Sequence, residues 1–205
     1  MDVLERIFGG RKNEAWLKFC EAVGADYTKG RSGQGDRLIA RFRKWAIALD
    51  SLAVAAPEGG SAIYTRMWVP YINKDGFHFR IHRKGFFYRK LGRFSSSQKV
   101  ATGDPDFDRE FIVEGNNESK IQTLLANPRI RHLIKSQPSI DLEIRHDMDG
   151  IRSNLPDDVY QLYFQESGII GDLGRLRSLY DLFTEILTNL CSIGSASEDE
   201  PKYAL

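Results

Sequence analysis

Three aspartates at alternate positions, Asp104, Asp106 and Asp108, form the stretch of this chain that most invites a chemical reading. D-x-D-x-D opens a calcium loop, which needs glycine at its sixth position and a bidentate glutamate at its twelfth. Those positions here hold Arg109 and Gly115, and Pro105 stiffens the entry. The pattern instead predicts a capped turn, with Asp104 as helix cap and Pro105 as a residue whose φ is preset. His146, Asp147 and Asp149 fare no better as metal ligands. His146 shares the face of Ile144 and diverges from Asp147, and Asp149-Gly150 reads as turn chemistry. His78 and His82 share one face of a predicted strand but stand roughly 13 Å apart, too far to share an ion. No metal is expected.

Other catalytic patterns are missing. Gly30, Gly33 and Gly35, and then Gly168, Gly171 and Gly174, are spaced like no phosphate loop. No G-x-S-x-G and no H-E-x-x-H occurs. The residues propose no catalytic group and no cofactor. Cys20 and Cys191 are far apart in sequence and each falls in a predicted helix, which suits buried thiols in a reducing cytosol.

One positive signal remains. From Phe77 to Lys99 there is no acid, while Arg80, Arg83, Lys84, Arg89 and Lys90 alternate with Phe77, Phe79, Phe86, Phe87 and Tyr88. Cations among exposed rings on a sheet hold single-stranded nucleic acid in several folds. Those five cations are therefore the candidate binding residues, for nucleic acid or an anionic surface. Strand alternation argues for a plainer role, because Phe77, Phe79 and Ile81 point opposite to His78, Arg80, His82 and Lys84.

The elements around these residues follow from periodicity. Trp16, Phe19, Cys20 and Val23 mark one face of a helix over 13–23. Leu38, Ala40 and Phe42, then Trp45, Ile47 and Leu49, alternate with a change of parity. That change predicts a turn or bulge at Arg43-Lys44. Pro57–Gly60 is a tight connection, and Ile63–Val69 a further strand. Asn73-Lys74-Asp75-Gly76 reads as a hairpin turn with Gly76 at positive φ. The second half gives a short strand at Phe111–Val113 and a helix capped by Asn117. A second helix follows Asn127-Pro128, and a strand spans Ile140–Ile144. A turn at Asp147–Gly150 leads back into Ile151–Leu155, and Val159–Phe164 is ambiguous. Residues 172–191 carry the strongest helical face, from Leu173 to Leu190.

Composition fits this picture. The chain has 205 residues, 41% of them hydrophobic, and a net charge of +1. That sum conceals 19 Lys/Arg against 9 Asp/Glu in residues 1–103, and 10 against 19 in residues 104–205. Halves of opposite sign are expected to pack against each other. The opening octet is acidic and short, unlike a signal peptide, and no run of 18 apolar residues exists. A cytoplasmic protein without a transmembrane segment is expected.

Part of the sequence resembles a bacterial family, a domain of unknown function that follows membrane helices in some members. The resemblance runs through Trp45–Asp50 and Tyr64-Thr65-Arg66. It is most specific at Thr102-Gly103-Asp104-Pro105-Asp106-Phe107-Asp108-Arg109-Glu110-Phe111-Ile112-Val113 and continues in Leu124–Ile134. It implies a bacterial origin, and neither an activity nor catalytic residues.

The expected fold is therefore α+β: an antiparallel β-meander covered by helices, with a long C-terminal helix. One domain is expected over 1–194, basic and strand-rich to residue 103 and acidic and helix-rich after it, with a disordered acidic tail at 195–205. The expected function is that of a non-enzymatic protein-interaction or scaffold module with an unknown protein partner. Nucleic-acid or anionic-surface binding through 77–99 is a second reading. The third is an enzyme whose acidic cleft gathers Asp50, Arg66 and Asp104.

Overall fold

A computed structural model describes residues 14–30, 35–55, 60–85, 98–146 and 155–203. The readings for residues 1–13, Pro57–Gly59, Phe86–Tyr88, Arg89, Lys90 and 147–154 lie outside the described residues.

The fold is α+β, with a nine-stranded antiparallel sheet and a long C-terminal helix. The strands are β1 (Asp26–Thr28), β2 (Arg37–Phe42), β3 (Trp45–Ala55), β4 (Ser61–Ile72), β5 (Phe79–Arg83), β6 (Gln98–Lys99), β7 (Phe111–Gly115), β8 (Asp141–Arg145) and β9 (Val159–Ser167). Their order across the sheet is β1-β2-β3-β4-β9-β8-β5-β7-β6. The helices are α1 (14–23), α2 (Pro105–Glu110), α3 (Glu118–Ala126), α4 (Pro128–Lys135) and α5 (Leu173–Ser192).

The parity change at Arg43-Lys44 is a tight turn closed by the pair Phe42↔Trp45, with Arg43 at φ 53°. A turn this short demands positive φ, which arginine adopts at some cost. Val159–Phe164 resolves as strand. Gly76 does take φ 71°, but Asn73–Gly76 does not close a hairpin. Strands β8 and β9 insert between β4 and β5, so the turn sends the chain across the end of the sheet. The meander proper runs from β1 to β4.

All five helices pack into one continuous apolar cluster on one face of the sheet. Trp16, Phe107, Ile121, Ile130 and Leu176 meet Ile47, Met67, Ile81, Leu142 and Phe164 there. Asp172 caps α5 by accepting from the Arg175 N–H, and α5 lays its buried side Leu176–Leu179–Phe183–Ile186–Leu190 on the sheet. Trp16 Nε1 donates to the Ile170 carbonyl at 3.0 Å, and Ile170 N–H donates to Thr65 Oγ1 at 3.0 Å. These bonds fix α1 and the entry to α5 against β4.

The segment after α5 departs from the expectation of a disordered tail. Ser195 and Ala196 are buried, Ala196 forms a bridge with Asn73, and Ser197 N–H donates to the Ile72 carbonyl at 3.0 Å. Glu198 pairs with Arg43 and Asp199 with Lys44. The acids that made this stretch look unfoldable meet cations from the β2–β3 turn. Tyr203 then packs on Ala48, Trp68 and Tyr163, which lie on the sheet face opposite the main cluster. Residues 195–203 are thus a strap from one face to the other.

Candidate functional site

The face opposite the main cluster should be wet if the sheet simply alternates. At its centre it is not. Asp50, Arg66, Arg80, Glu143, Arg145 and Gln161 are all 9% exposed or less. Register brings them together. One cross-strand row reads Ala48, Trp68, Tyr163, Glu143, Arg80, Glu114, and a second reads Arg37, Asp50, Arg66, Gln165. Directly opposed side chains on one face sit within about 5 Å, so each charge meets its neighbour.

The resulting contacts form two knots. Arg66 grips Asp50 with Nε at 2.7 Å and a terminal nitrogen at 2.8 Å, and Arg37 approaches the same carboxylate at 3.5 Å. Arg80 holds Asp141 at 3.0 and 3.1 Å and stands 3.9 Å from Glu143, which Arg145 meets at 3.5 Å. The Arg145 guanidinium lies 3.2 Å from the centroid of the Tyr163 ring. Burial is the largest single pull against the Arg66 charge, but the Asp50 hydrogen bonds and charge, with Tyr163, together outweigh it and raise the guanidinium pKa. For Asp141 burial wins: its carboxyl is held above 3.8 despite Arg80, His82 and Arg145. Burial also raises the Tyr163 phenol.

The Asp141 shift makes a prediction. Its folded-state pKa exceeds the unfolded value, so the folded chain takes up this proton first as pH falls. The cost of burying its charge exists above the raised pKa and fades as pH drops through it. In urea melts, wild type should gain stability relative to Asp141→Asn as pH falls from neutral towards 3.8. The opposite slope would contradict the assignment.

The third sequence reading finds no support in this geometry. Asp50 and Arg66 are locked to each other, while Asp104 pairs with Arg131 at 3.2 Å beside α4. The three do not share a cleft. The aspartate motif is an interlocked turn. Asp104 accepts from the N–H groups of Asp106 and Phe107, both at 3.1 Å, and those bonds lower its pKa. Asp108 reaches back to Thr102 N–H at 3.1 Å and Oγ1 at 2.8 Å. Asp106 is exposed and pairs with Arg109. Phe107 is fully buried and stacks on Phe111 with centroids 4.6 Å apart. All three carboxylates are thus engaged by donors from the chain itself, two of them by backbone N–H groups.

The basic segment is likewise committed inward where it is described. Arg80 belongs to the second knot. Arg83 pairs with Glu110 at 2.7 Å, donates to the Lys135 and Gln137 carbonyls, and lies 4.6 Å from the Phe111 ring centroid. Lys84 is exposed, with Nζ donating to the Asp108 carbonyl at 2.7 Å. Phe77, Phe79 and Ile81 are buried in the main cluster.

A serine–lysine–aspartate cluster escaped the sequence reading. Lys120 Nζ donates to Ser195 Oγ at 2.8 Å and pairs with Asp75, and Ser195 Oγ donates to Asp75 at 3.1 Å. Ser195 is fully buried and its proton is held by a carboxylate that the ammonium also binds. The cluster is a clip for the strap, not a nucleophile with its base.

Sequence reasoning also missed a stretch of sheet edge that no described residue covers. β3 and β4 pair out to Ala55↔Ser61, but β2 pairs with β3 only as far as Asp50. Ser51 N–H donates to the Asp36 carbonyl on the β2 side. Antiparallel ladders alternate, so Ala53 and Ala55 direct N–H and C=O to that same side, where no described residue pairs with them. Val54 and Ile63 are 43% and 39% exposed. Residues 51–65 contain one charge, Glu58, in a chain that is 28% charged. That uncharged run was the available signal.

Compared with known proteins, the chain matches no family model, no curated protein and no solved structure. Among the described residues, no helix is long and apolar enough to cross a membrane.

Proposed function

We propose that this chain is a protein-interaction module that binds a partner by strand addition along the outer edge of β3. The single observation behind this reading is the edge at Ala53 and Ala55, with which no described residue pairs. An open edge with apolar flanks is a template for another strand, and proteins ordinarily blunt such edges with charge, proline or cover. Here residues 51–55 and 60–65, the described end of the hairpin, carry neither charge nor proline. The partner segment is extended and uncharged, since a charge placed against Val54 would lose its water without gaining a counterion.

The nucleic-acid reading is weaker on the same grounds, because Arg80 and Arg83 already spend their donors on Asp141, Glu110 and two carbonyls. The bacterial, cytoplasmic setting belongs to the proposal, through the resemblance at 102–113 and two free thiols.

A photo-cross-linking residue at Val54 in cells tests this. The captured protein, purified, should bind the wild-type chain and bind Ala53→Pro roughly tenfold more weakly, the loss of about one edge hydrogen bond. Lys84→Gln, at the exposed cation of the basic segment, should bind as wild type does. No cross-link from Val54, or a captured protein indifferent to Ala53→Pro, would remove the proposal.

A further inference from the structure

The strap is anchored unevenly along its length. Its first three residues are held by the backbone. Ser195 and Ala196 N–H donate to the Leu190 carbonyl at 2.9 and 3.1 Å, Lys74 N–H donates to the Ser195 carbonyl at 3.0 Å, and Ser197 N–H donates to Ile72. Lys120 and Asp75 also clip the buried Ser195 hydroxyl. Beyond Ser197 the anchoring changes in kind. No backbone group of residues 198–203 bonds to another element among the described residues, and the Tyr203 N–H turns back to the Pro201 carbonyl within the strap itself.

Two ion pairs, the buried Pro201 and one ring hold this distal part. Glu198 meets Arg43 at 2.8 Å and Asp199 meets Lys44 at 3.3 Å, with all four side chains at least 43% exposed. Exposed pairs of this kind contribute little and are screened by salt. The ring is that of Tyr203, half-buried on Ala48, Trp68 and Tyr163. Between the ion pairs and the ring the strap does not pack down. Glu200, Pro201 and Tyr203 span a cavity of about 270 Å³ over Ile39, Ala46 and Pro70, so dispersion contacts that a close-packed segment makes are missing there. A segment with few buried contacts and no backbone bonds to the core opens at a free energy far below that of global unfolding.

We infer that residues 198–203 form a salt-gated flap. It turns about Ser197, opens while the sheet and the Ser195 clip stay closed, and bares the patch of Ala48, Trp68 and Tyr163 on the second face. At low ionic strength the two acids hold it shut. At about 1 M salt the Debye length falls to roughly 3 Å, the length of the ion pairs themselves, and packing of Pro201 and Tyr203 alone must keep the flap down. Opening also frees Arg43 and Lys44, so the bared patch is apolar with cations at one end. The chain thus presents a different second face at low and at high ionic strength. An anion that takes Arg43 and Lys44 acts in the same direction as salt.

NMR of the full chain tests this. The indole N–H of Trp68 and the amides of Glu200 and Lys202 report the flap. The amides of Ser195 and Ala196, with the indoles of Trp16 and Trp45 in the main cluster, report the rest. The variant Glu198→Gln/Asp199→Asn/Tyr203→Ala supplies the shifts of the open state. Raising sodium chloride from about 0.02 M to about 1 M should increase the open-to-closed ratio roughly three- to tenfold and leave the second group of signals in place. Glu198→Gln/Asp199→Asn, at exposed positions, should reach that ratio already at low salt and respond little to more. Several results would each overturn the inference: a flap equally closed at both salt concentrations, a neutralised variant that follows salt as wild type does, or Ser195 and Ala196 moving together with Trp68. Wild-type flap signals that match the open state already at low salt would overturn it too. Ala53→Pro should leave the salt response unchanged, so the flap and the β3 edge are tested separately.

Discussion

Replacing Asp50 with alanine should destabilise the protein by about 3–5 kcal/mol, because it strands the Arg66 guanidinium in a buried site. The Asp50 side chain is 3% exposed and that of Arg66 10%, so water screens the pair little. For a chain of this size the loss corresponds to a fall in Tm of roughly 6–20 °C. The double variant Asp50→Leu/Arg66→Met should recover more than half of it, since two apolar side chains leave no uncompensated charge. Urea unfolding of wild type, Asp50→Leu, Arg66→Met and the double variant measures the coupling. A single Asp50→Ala variant as stable as wild type would mean that the second face is hydrated and that its charges are ordinary surface charges.

The motif at 102–111 carries the second large effect, and it separates structure from chemistry. Phe107→Ala should cost about 3–5 kcal/mol, as for a large ring removed from a close-packed core. Asp104→Ala should cost a fraction of that, through the lost cap. Asp106→Ala should leave stability close to unchanged, because that carboxylate is exposed and, among the described residues, pairs with Arg109 on the same short helix. Thermal unfolding with and without calcium checks the ranking. A rise in Tm on adding calcium that Asp106→Ala abolishes would show a cation site where we read a turn.

Much of the fold is legible locally, and the exceptions share a cause. The inward face of β5 is visible in Phe79 and Ile81 alone, because alternation is a property of the strand itself. What happens on the other side of that strand is not. Arg80 looks like a solvated cation until Asp141 and Glu143, sixty residues on, are brought beside it by the β5–β8 register. The same holds for Asp50 and Arg66, which become a buried pair only once β3 and β4 are aligned. Asn73–Gly76 has the residues of a hairpin turn, and nothing local announces that β8 and β9 will separate the strands it joins. The strap was misread because acidic composition was judged without its partners. Arg43, Lys44 and Lys120, far away in sequence, supply the charges that order it. The β3 edge that no described residue pairs was hidden for the converse reason: how far the described part of β2 follows β3 is a fact of register, and Leu52–Ala55 reads as ordinary strand.

The most direct measurement of the proposed function is backbone hydrogen exchange of the chain, free and bound to the protein captured at Val54. The amides of Ala53 and Ala55 should exchange rapidly alone and become protected in the complex, while those of Arg83 and Lys84 do not change. Protection at Arg83 and Lys84, with Ala53 and Ala55 as labile as before, would contradict strand addition and return the docking role to the basic segment.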